Sequence, residues 1–241
     1  MRMRKKKNAE SRLASCERFL LNVGESSIEC PAELFGMTGA PLFLEIGAGK
    51  GAFACEMARR NPDAAYIAME RVTDCVVIAA ERAASSEYGE LTNLRFLIDT
   101  ADNLMRLFGK NSVDRIFLNF SDPWSKKGYA KRRLTHRRYL AVYMNLLKDG
   151  GVLRFKTDND ALFDFSLEET EAMELKCRIV TRDLHASEWM ADNVMTEYET
   201  NFASQGKNIN MLELVKPDGF MPEVDAAFLG ESRYSVRSEN D

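Results

Sequence analysis

A carboxylate, an aromatic ring and a run of cations follow one another at the end of an apolar segment. Residues 113–118 are mostly apolar, and the chain continues into Asp122-Pro123-Trp124, Lys126 and Lys131-Arg132-Arg133. Clustered Lys and Arg side chains suit phosphate oxygens, and an exposed aromatic ring suits an unstacked base. The segment therefore predicts contact with RNA. A solvated run of charges after a core strand is the alternative interpretation.

A glycine-rich turn with acids on both sides forms a second candidate site. Gly47, Gly49 and Gly51 directly follow an apolar run that contains Glu45. Glycines there permit positive φ and let the backbone approach a ligand closely. Glu70 ends the next apolar run about 20 residues on, where a carboxylate can accept both hydroxyls of a ribose. Glu45 would repel a pyrophosphate, so the pattern favours S-adenosylmethionine, which carries a positive centre and an amino group.

Apolar runs alternate with helical patterns at the spacing of parallel α/β sheets. The five predicted strands contain LFLEI, AAYIAME, NLRFLID, the run that leads to Asp122, and VLRFKTDN. A helix over about 134–148 is expected to stop at Gly150-Gly151, so that the fifth strand begins there. Another helix, an extended stretch and a last strand near 208–214 follow. This order predicts an α/β doubly wound sheet, in which ligands bind at the carboxyl ends of the strands.

Composition restricts the class of protein further. The chain has 241 residues and 45% hydrophobic content, enough for one domain with a full core. A net charge of -4 argues against a protein that coats nucleic acid, whereas residues 126–138 hold seven Lys or Arg and no acid, which fits a specific RNA contact. Five scattered cysteines and two histidines favour neither a disulfide framework nor a metal site. No apolar run approaches the about 20 residues needed to cross a membrane, so a cytoplasmic location is expected.

Five sequence blocks together resemble the tRNA (guanine-N(7)-)-methyltransferase family. They are LEIGAGKGAF, NFSDPWSKKGYAKRRL, FKTDN at 155–159, DLHAS at 183–187 and TEYETNFASQGKNI at 196–209. The resemblance covers about residues 1–214. It implies a Rossmann-like class I methyltransferase fold, with a sheet of seven strands whose last strand is antiparallel. It also implies methyl transfer from S-adenosylmethionine to N(7) of the variable-loop guanine, position 46, in tRNA.

The resemblance and the chemistry of the residues together assign two groups of side chains. The expected cofactor group is Glu45, Gly47, Gly49, Glu70, Asp99, Thr100, Ala101 and Asp122. The expected substrate group is Lys126, Lys131, Arg132, Arg133, Asp158, Thr196, Glu197, Tyr198 and Glu199. Two departures from the family pattern stand out. Thr100-Ala101 occupies the place of an Asp-Ala pair, and Gly128-Tyr129 occupies the place of Arg-His.

Asp122 is the expected catalytic residue. The N(7) lone pair of guanine carries no proton, so catalysis needs alignment of the base rather than a strong general base. A fixed carboxylate can also compensate the positive charge that develops on the guanine. Asp158 and Glu199 would accept hydrogen bonds from the guanine amino and imino groups. For Asp158 a helix N-cap is the alternative interpretation.

The remaining side chains of note receive structural interpretations. For Trp124 packing in the core is favoured over stacking on RNA, because a Pro-Trp corner often packs. His136 is expected on a helix face, and His185 is expected to form a hydrogen bond in a loop. Neither is expected to act in catalysis.

Three segments are predicted along the chain. Residues 1–40 form a basic N-terminal arm and helix, residues 41–216 the methyltransferase domain, and residues 217–241 an acidic tail. The arm, with Arg2, Arg4 and residues 5–7, either contacts RNA phosphates or is a solvated tail. The expected partner is tRNA, with no membrane and no metal, and the chain is expected as a monomer or homodimer.

Two other functions compete with this interpretation. A nicotinamide (NAD)-dependent oxidoreductase on a Rossmann sheet is disfavoured by the glycine spacing, by Glu45 and by the lack of an evident catalytic Tyr-Lys pair or His. A catalytically impaired RNA-binding homologue is the other alternative, since Thr100 and Tyr129 depart from the family pattern.

Overall fold

Seven strands and seven α-helices alternate along the described part of this computed structural model, residues 8–23 and 31–229. The strands are β1 (Leu42–Ile46), β2 (Ala65–Met69), β3 (Leu94–Leu97), β4 (Val113–Asn119), β5 (Leu147–Thr157), β6 (Cys177–Thr181) and β7 (Asn210–Val215). The helices are α1 (Ala9–Ala14), α2 (Ala52–Arg60), α3 (Thr73–Ala84), α4 (Leu104–Leu107), α5 (Arg137–Leu146), α6 (Asp160–Ala172) and α7 (Glu197–Ala203).

All seven strands belong to one sheet, in the order β3-β2-β1-β4-β5-β7-β6. The first five strands pair in parallel, whereas β7 is antiparallel to both β5 and β6. The predicted seven-stranded α/β sheet with an antiparallel last strand is therefore confirmed. The strand order reverses direction between β1 and β4, and such a switch point opens a crevice at the carboxyl ends of the strands.

Strands β1 and β2 are almost entirely apolar because helices cover both faces of the sheet. Every residue of β1 and β2 is buried. Leu42 and Leu44 belong to the core on one face with helix α5, while Phe43 joins the core on the other face with α2 and α3. Alternate residues of a strand point to opposite faces, so a continuous apolar run fills two cores at once.

Two boundaries differ from the sequence prediction. Helix α5 begins at Arg137 rather than near residue 134, because the Nδ1 atom of His136 accepts a hydrogen bond from the Arg138 backbone N–H at 3.2 Å and caps the helix. Strand β5 begins at Leu147, before the glycine pair rather than after it. Leu147 pairs with Val113 and the register then shifts, so residues 148–151 form a bulge within β5.

The segments on either side of the predicted domain also pack onto it. Phe19 is buried, and the Leu21 backbone N–H donates to Phe96 O of β3 at 2.9 Å. Phe228 is buried with its ring 5.0 Å from that of Tyr139. The cationic residues predicted to form the arm, Arg2 to Lys7, lie outside the described residues, as does the last part of the acidic tail. The boundaries 1–40, 41–216 and 217–241 stay predictions.

Membrane spans and metal clusters were predicted to be absent. Across residues 8–23 and 31–229, none of the helices combines the length and the apolar character that crossing a bilayer requires. Over the same residues, no three His, Cys, Asp or Glu side chains group as metal ligands.

Candidate active site

The three glycines after β1 have two different roles. Gly47 and Gly49 have φ values of 83° and 56°, and a Cβ atom built on either meets no atom within 4 Å. A Cβ atom on Gly51 would lie 2.7 Å from the Cβ atom of Ala79 on α3. The first two glycines therefore line open space at the carboxyl end of β1, whereas the third permits α2 and α3 to pack closely.

Glu70 holds the glycine turn in place. The Gly49 backbone N–H donates to its Oε2 atom and the Val72 backbone N–H donates to its Oε1 atom, each at 2.9 Å. These bonds join the turn after β1 to the end of β2. Each carboxylate oxygen has a further lone pair, so Glu70 can accept ligand hydroxyls while it keeps these contacts.

Glu45 is a buried carboxylate at the switch point between β1 and β4. Only 2% of the residue is exposed, and its Oε1 atom accepts a hydrogen bond from Asn119 Nδ2 at 2.9 Å. Burial raises the pKa of Glu45 to about 7, although the bond from Asn119 and the nearby Lys156 ammonium oppose this effect. A buried acid that titrates near neutrality suits a cationic ligand, which would favour its ionised form.

The predicted residues after β3 stabilise their own loop. The Thr100 backbone N–H donates to Asp99 Oδ1 at 2.7 Å, and Asn103 Nδ2 donates to the same oxygen at 2.6 Å. Arg106 lies 3.2 Å from the other oxygen of Asp99. Ala101 is buried at the start of the following 3-10 helix. The loop lies at the carboxyl edge of the sheet, and its contact with a cofactor stays a prediction.

Asp122 is presented to solvent by an unusual turn after β4. Phe120 and Trp124, which flank it, have φ values of 52° and 40°, in the left-handed region that non-glycine residues rarely adopt. The Asp122 side chain is 70% exposed, and its Oδ2 atom lies 3.8 Å from Arg71 Nη2. Strained backbone of this kind concentrates at functional sites.

The side chain of Trp124 lies at the surface, so the prediction that it packs in the core is wrong. It is half-buried, and its ring meets the ring of Tyr129 edge-on at 5.8 Å. The guanidinium carbon of Arg132 lies 5.1 Å from the Trp124 ring centre. The positive φ of Trp124 and the 3-10 helix Lys127–Arg132 that follows keep the ring on the outside of the domain.

The four predicted phosphate ligands fall into two groups. Lys126, Lys131 and Arg132 are exposed. Arg133 is half-buried and donates to the Pro123 carbonyl oxygen at 2.9 Å and to the Trp124 carbonyl oxygen at 3.2 Å. Arg133 therefore fixes the shape of the turn, while the other three cations face solvent around it.

Glu199 lies in the interior, where four donors surround its carboxylate. Its Oε2 atom accepts from Lys156 Nζ at 2.6 Å, and its Oε1 atom accepts from Asn193 Nδ2 at 2.6 Å. His185 Nε2 lies 2.8 Å from the Oε1 atom, which agrees with the loop hydrogen bond predicted for this histidine. The fourth donor, the Thr196 backbone N–H, is 3.4 Å from the Oε2 atom. The predicted contact between Glu199 and guanine stays a prediction, and it would displace one of these donors.

Lys156 and Glu199 form a buried ion pair between β5 and α7. The two side chains are 1% and 0% exposed. Burial lowers the pKa of Lys156. Burial alone would raise the pKa of Glu199, but the Lys156 ammonium holds it below its usual value. This pair ties the start of α7 to the sheet.

The other residues predicted in the TEYE block occupy the start of α7. The Thr196 hydroxyl accepts from the Glu199 backbone N–H at 2.9 Å, as one half of a capping box. Glu197 forms an ion pair with Arg82 of α3. Tyr198 is 45% exposed and its ring centre lies 4.9 Å from that of Phe120. The block thus borders the Asp122 turn.

Asp158 is half-exposed at the carboxyl end of β5. The alternative interpretation, that it caps a helix, is wrong, because Asn159 Oδ1 accepts from the Leu162 backbone N–H at 2.8 Å and caps α6. Burial raises the pKa of the Tyr198 phenol, and the nearby Asp158 carboxylate raises it further. The predicted guanine contact of Asp158 stays a prediction.

Three residues of this edge were not singled out from the sequence. Asn119 contacts Glu45, Arg71 contacts Asp122, and Lys156 contacts Glu199. Lys156 had a visible signal, since a lysine inside the apolar strand VLRFKTDN must find a buried partner. Asn119 and Arg71 had no such signal, because each contacts a residue that is far away in the sequence.

Solved structures of methyltransferases share this fold. A 16S rRNA methyltransferase, KamB, superposes with a TM-score of 0.58 at 15% identity, over 79% of this chain and 95% of that one. A 16S rRNA (adenine(1408)-N(1))-methyltransferase from Catenulisporales acidiphilia, solved with cosubstrate SAM, superposes with a TM-score of 0.54 at 15% identity, over 84% of this chain and 98% of that one. At such identities the similarity establishes the fold alone.

Sequence comparison identifies the family. A family model described as putative methyltransferase matches residues 39–212. A tRNA (guanine-N(7)-)-methyltransferase of Mesoplasma florum is 39% identical over 221 residues, 90% of this chain and 99% of that protein. A relative of the same name from Brevibacillus brevis is 45% identical over 181 residues, 75% of this chain and 83% of that protein. The resemblance noted in the sequence blocks is thereby confirmed, and the chain belongs to the tRNA (guanine-N(7)-)-methyltransferase family.

Proposed function

We propose that this protein transfers the methyl group of S-adenosylmethionine to N(7) of the variable-loop guanine, position 46, in tRNA. The observation that carries the proposal is that one sheet edge holds both an open glycine turn framed by acids and an exposed carboxylate. Glu45 and Glu70 frame the turn, and Asp122 stands on the neighbouring strand end. Membership in the family supports the same activity.

The residues at the switch point fit S-adenosylmethionine. Gly47 and Gly49 leave open space beside the backbone, and Glu70 has lone pairs free for ribose hydroxyls. Glu45 supplies a buried negative charge for an amino group. The loop Asp99-Thr100-Ala101 would border the adenine. When bound, this cofactor supplies a methyl group activated by the positive charge of its sulfonium.

Asp122 would orient the guanine and stabilise the charge that develops on it. The nucleophilic nitrogen needs no deprotonation, so the role of the protein is to hold the base with its N(7) lone pair correctly directed. A carboxylate close to the base stabilises the positive charge that the purine acquires during methyl transfer. Arg71 lies 3.8 Å from Asp122 at the same end of the sheet.

The substrate would lie along the surface that continues from Asp122. Lys126, Lys131 and Arg132 face solvent there and would contact phosphates. Asp158 and Tyr198 border the same edge and would contact the guanine. Thr196, Glu197 and Glu199 would act mainly by fixing the start of α7. Because the substrate is tRNA, the proposed site of action is the cytoplasm.

Methyl transfer from labelled S-adenosylmethionine to unmodified tRNA, followed by identification of the modified nucleoside, tests the proposal. We expect 7-methylguanosine in the variable loop. A tRNA with adenine in place of the target guanine is the matched control and should accept no label at that position. Binding of cofactor and tRNA without transfer would indicate an impaired homologue. Thermal protection by NAD but not by S-adenosylmethionine would contradict the whole assignment.

A further inference from the structure

Two aromatic rings and one of the proposed phosphate ligands form a surface beside the proposed site, and the rings have no role assigned to them above. We call Trp124, Tyr129 and Arg132 the aromatic–arginine cluster. The Arg132 guanidinium carbon lies 5.1 Å from the Trp124 ring centre and 4.7 Å from the Tyr129 ring centre. The two rings meet at 82°, and Tyr129 is 41% exposed. Rings and guanidinium planes in this arrangement are the surfaces on which unpaired bases stack.

The backbone under this cluster is held firmly. Trp124 keeps a φ of 40°, which costs conformational energy unless neighbouring groups enforce it. Arg133 enforces it by donating to the carbonyl oxygens of Pro123 and Trp124, and its guanidinium carbon in turn lies 4.3 Å from the ring centre of Phe165. The cluster is therefore positioned in advance, which lowers the entropic cost of binding.

The charge around the cluster indicates what kind of ligand it binds. Residues 126–138 contain no acid, and Lys126, Lys127 and Lys131 are exposed beside the rings. Cations that surround a stacking surface suit a nucleotide, whose phosphates they contact while its base lies on the rings. An apolar protein partner would not need these charges.

We propose that the aromatic–arginine cluster stacks an unpaired base of the tRNA that neighbours the methylated guanine. This inference rests on the proposed function. Asp122 lies two residues before Trp124, so the Cα atoms of the two residues are at most about 7 Å apart. The cluster is therefore near enough to Asp122 to contact a nucleotide next to the guanine.

Fluorescence of Trp124 provides a direct test. The chain has two tryptophans, so Trp189→Phe leaves Trp124 as the sole indole. We expect unmodified tRNA to quench this fluorescence. A tRNA that carries an abasic site next to the target guanine should bind with much less quenching, whereas an abasic site in the anticodon loop is the matched control and should leave the quenching intact.

Affinity at several salt concentrations separates stacking from charge. Tyr129→Ala should weaken tRNA binding by about 5- to 100-fold with no change in the slope of log Kd against log salt. Tyr129→Phe keeps the ring and should retain the affinity. Lys131→Ala is the opposite case, since it should reduce the slope by about 0.7 while it leaves the quenching of Trp124 in place.

The outcomes distinguish the inference from the function on which it rests. If the Trp189→Phe protein binds and methylates tRNA but Trp124 is not quenched, or if Tyr129→Ala binds as tightly as the parent, the cluster does not stack a base. If the quenching is equally strong with every abasic tRNA, the cluster contacts another part of the RNA and the inference is wrong. If the protein neither binds nor methylates tRNA, both the function and the inference fail.

Discussion

At the scale of single residues, Glu45 connects proton binding to the proposed cofactor site. Its burial raises its pKa to about 7, so the side chain is partly protonated in neutral solution. An ammonium group interacts favourably only with the ionised form. Cofactor binding and proton release should therefore be linked at this residue.

We predict that S-adenosylmethionine binds more tightly as pH rises through about 7. Below that value each pH unit should weaken binding by up to about 10-fold, because Glu45 must first lose its proton. Isothermal titration calorimetry between pH 5.5 and 8.5 measures this dependence. Glu45→Gln, which keeps the shape of the side chain, should bind weakly at every pH. An unchanged pH dependence in that variant would assign the effect to another group.

The same residue should make the folded protein less stable at higher pH. Its pKa of about 7 when folded exceeds its ordinary value of 4.5, so between these values the folded state binds more protons than the unfolded state. The protonated side chain stabilises the folded state fully below about pH 4.5. This stabilisation is lost as the pH rises through about 7. The Glu45→Gln variant should therefore melt above the parent at pH 8 and close to it at pH 4.5. Equal melting temperatures at pH 8 would contradict the assignment.

Asp122 is predicted to act on turnover rather than on affinity. Asp122→Asn retains the shape and removes the charge, so kcat should fall by about 10²- to 10³-fold if the carboxylate stabilises developing positive charge. The dissociation constant for tRNA should change little, because Asp122 is one exposed group beside a cationic surface. Single-turnover transfer and tRNA binding are measured on the same preparation. Equal losses in both would refute this role.

At the scale of elements, the ion pair of Lys156 and Glu199 joins helix α7 to the sheet. Both side chains are buried, so neither can lose its partner without leaving an uncompensated charge or polar group in the interior. The same carboxylate completes the capping box that starts α7. The pair thus determines where Tyr198 stands relative to the turn after β4.

Lys156→Met should lower the free energy of unfolding by about 3–5 kcal/mol, because it leaves Glu199 buried without its cation. Adding Glu199→Leu should restore much of that stability. Methyl transfer should stay low in the double variant, since it lacks the ion pair that joins the start of α7 to β5. Denaturant unfolding and steady-state kinetics test the two statements separately. Recovery of activity together with stability would show that the pair serves folding alone.

Two glycines of one turn should respond differently to the same substitution. Gly49→Ala and Gly51→Ala both place a side chain at positive φ, which costs about 1 kcal/mol or more. Only Gly51→Ala also brings a Cβ atom to 2.7 Å from Ala79, so it should lower the melting temperature further. Gly49→Ala should instead weaken cofactor binding, because its side chain enters the open space. Thermal melts with and without S-adenosylmethionine measure both effects, and the reverse ranking of melting temperatures would contradict this account.

At the scale of the whole molecule, the protein combines a net charge of -4 with a local cationic surface. Such a charge distribution attracts RNA to one edge and repels it elsewhere, so orientation is favoured before contact. The cations lie beside the carboxyl ends of β4 and β5, next to the proposed site.

Replacing Lys126 and Lys131 together by Ala should flatten the salt dependence of tRNA binding. Each lost phosphate contact should reduce the slope of log K against log salt by about 0.7, or about 1.4 for the pair. Lys110→Ala is the matched control, since this exposed lysine precedes β4 at the opposite edge of the sheet and should leave the slope unchanged. The slopes are obtained by measuring the affinity of each variant for tRNA at several salt concentrations. An unaltered slope in the double variant would show that these lysines are solvated and do not contact phosphates of the tRNA.

Local sequence patterns were sufficient for most of the order of the elements and for the sheet edge at which the predicted acids lie. The strands follow from runs of apolar residues, and the glycine turn follows from the backbone conformations that glycine permits. Both features can be recognised from residues that are close together in the sequence. The acids Glu45, Glu70 and Asp122 could be placed at one edge, because parallel strands align their carboxyl ends.

The tertiary structure alone decided which side chains are free to act. Trp124 lies at the surface because a strained turn and Arg133 hold it there. Glu199 of α7 lies in the interior because Lys156 approaches it from strand β5. Gly51 differs from Gly47 only through the proximity of α3. Each of these outcomes depends on contacts between residues far apart in the chain, and no local pattern contains that information.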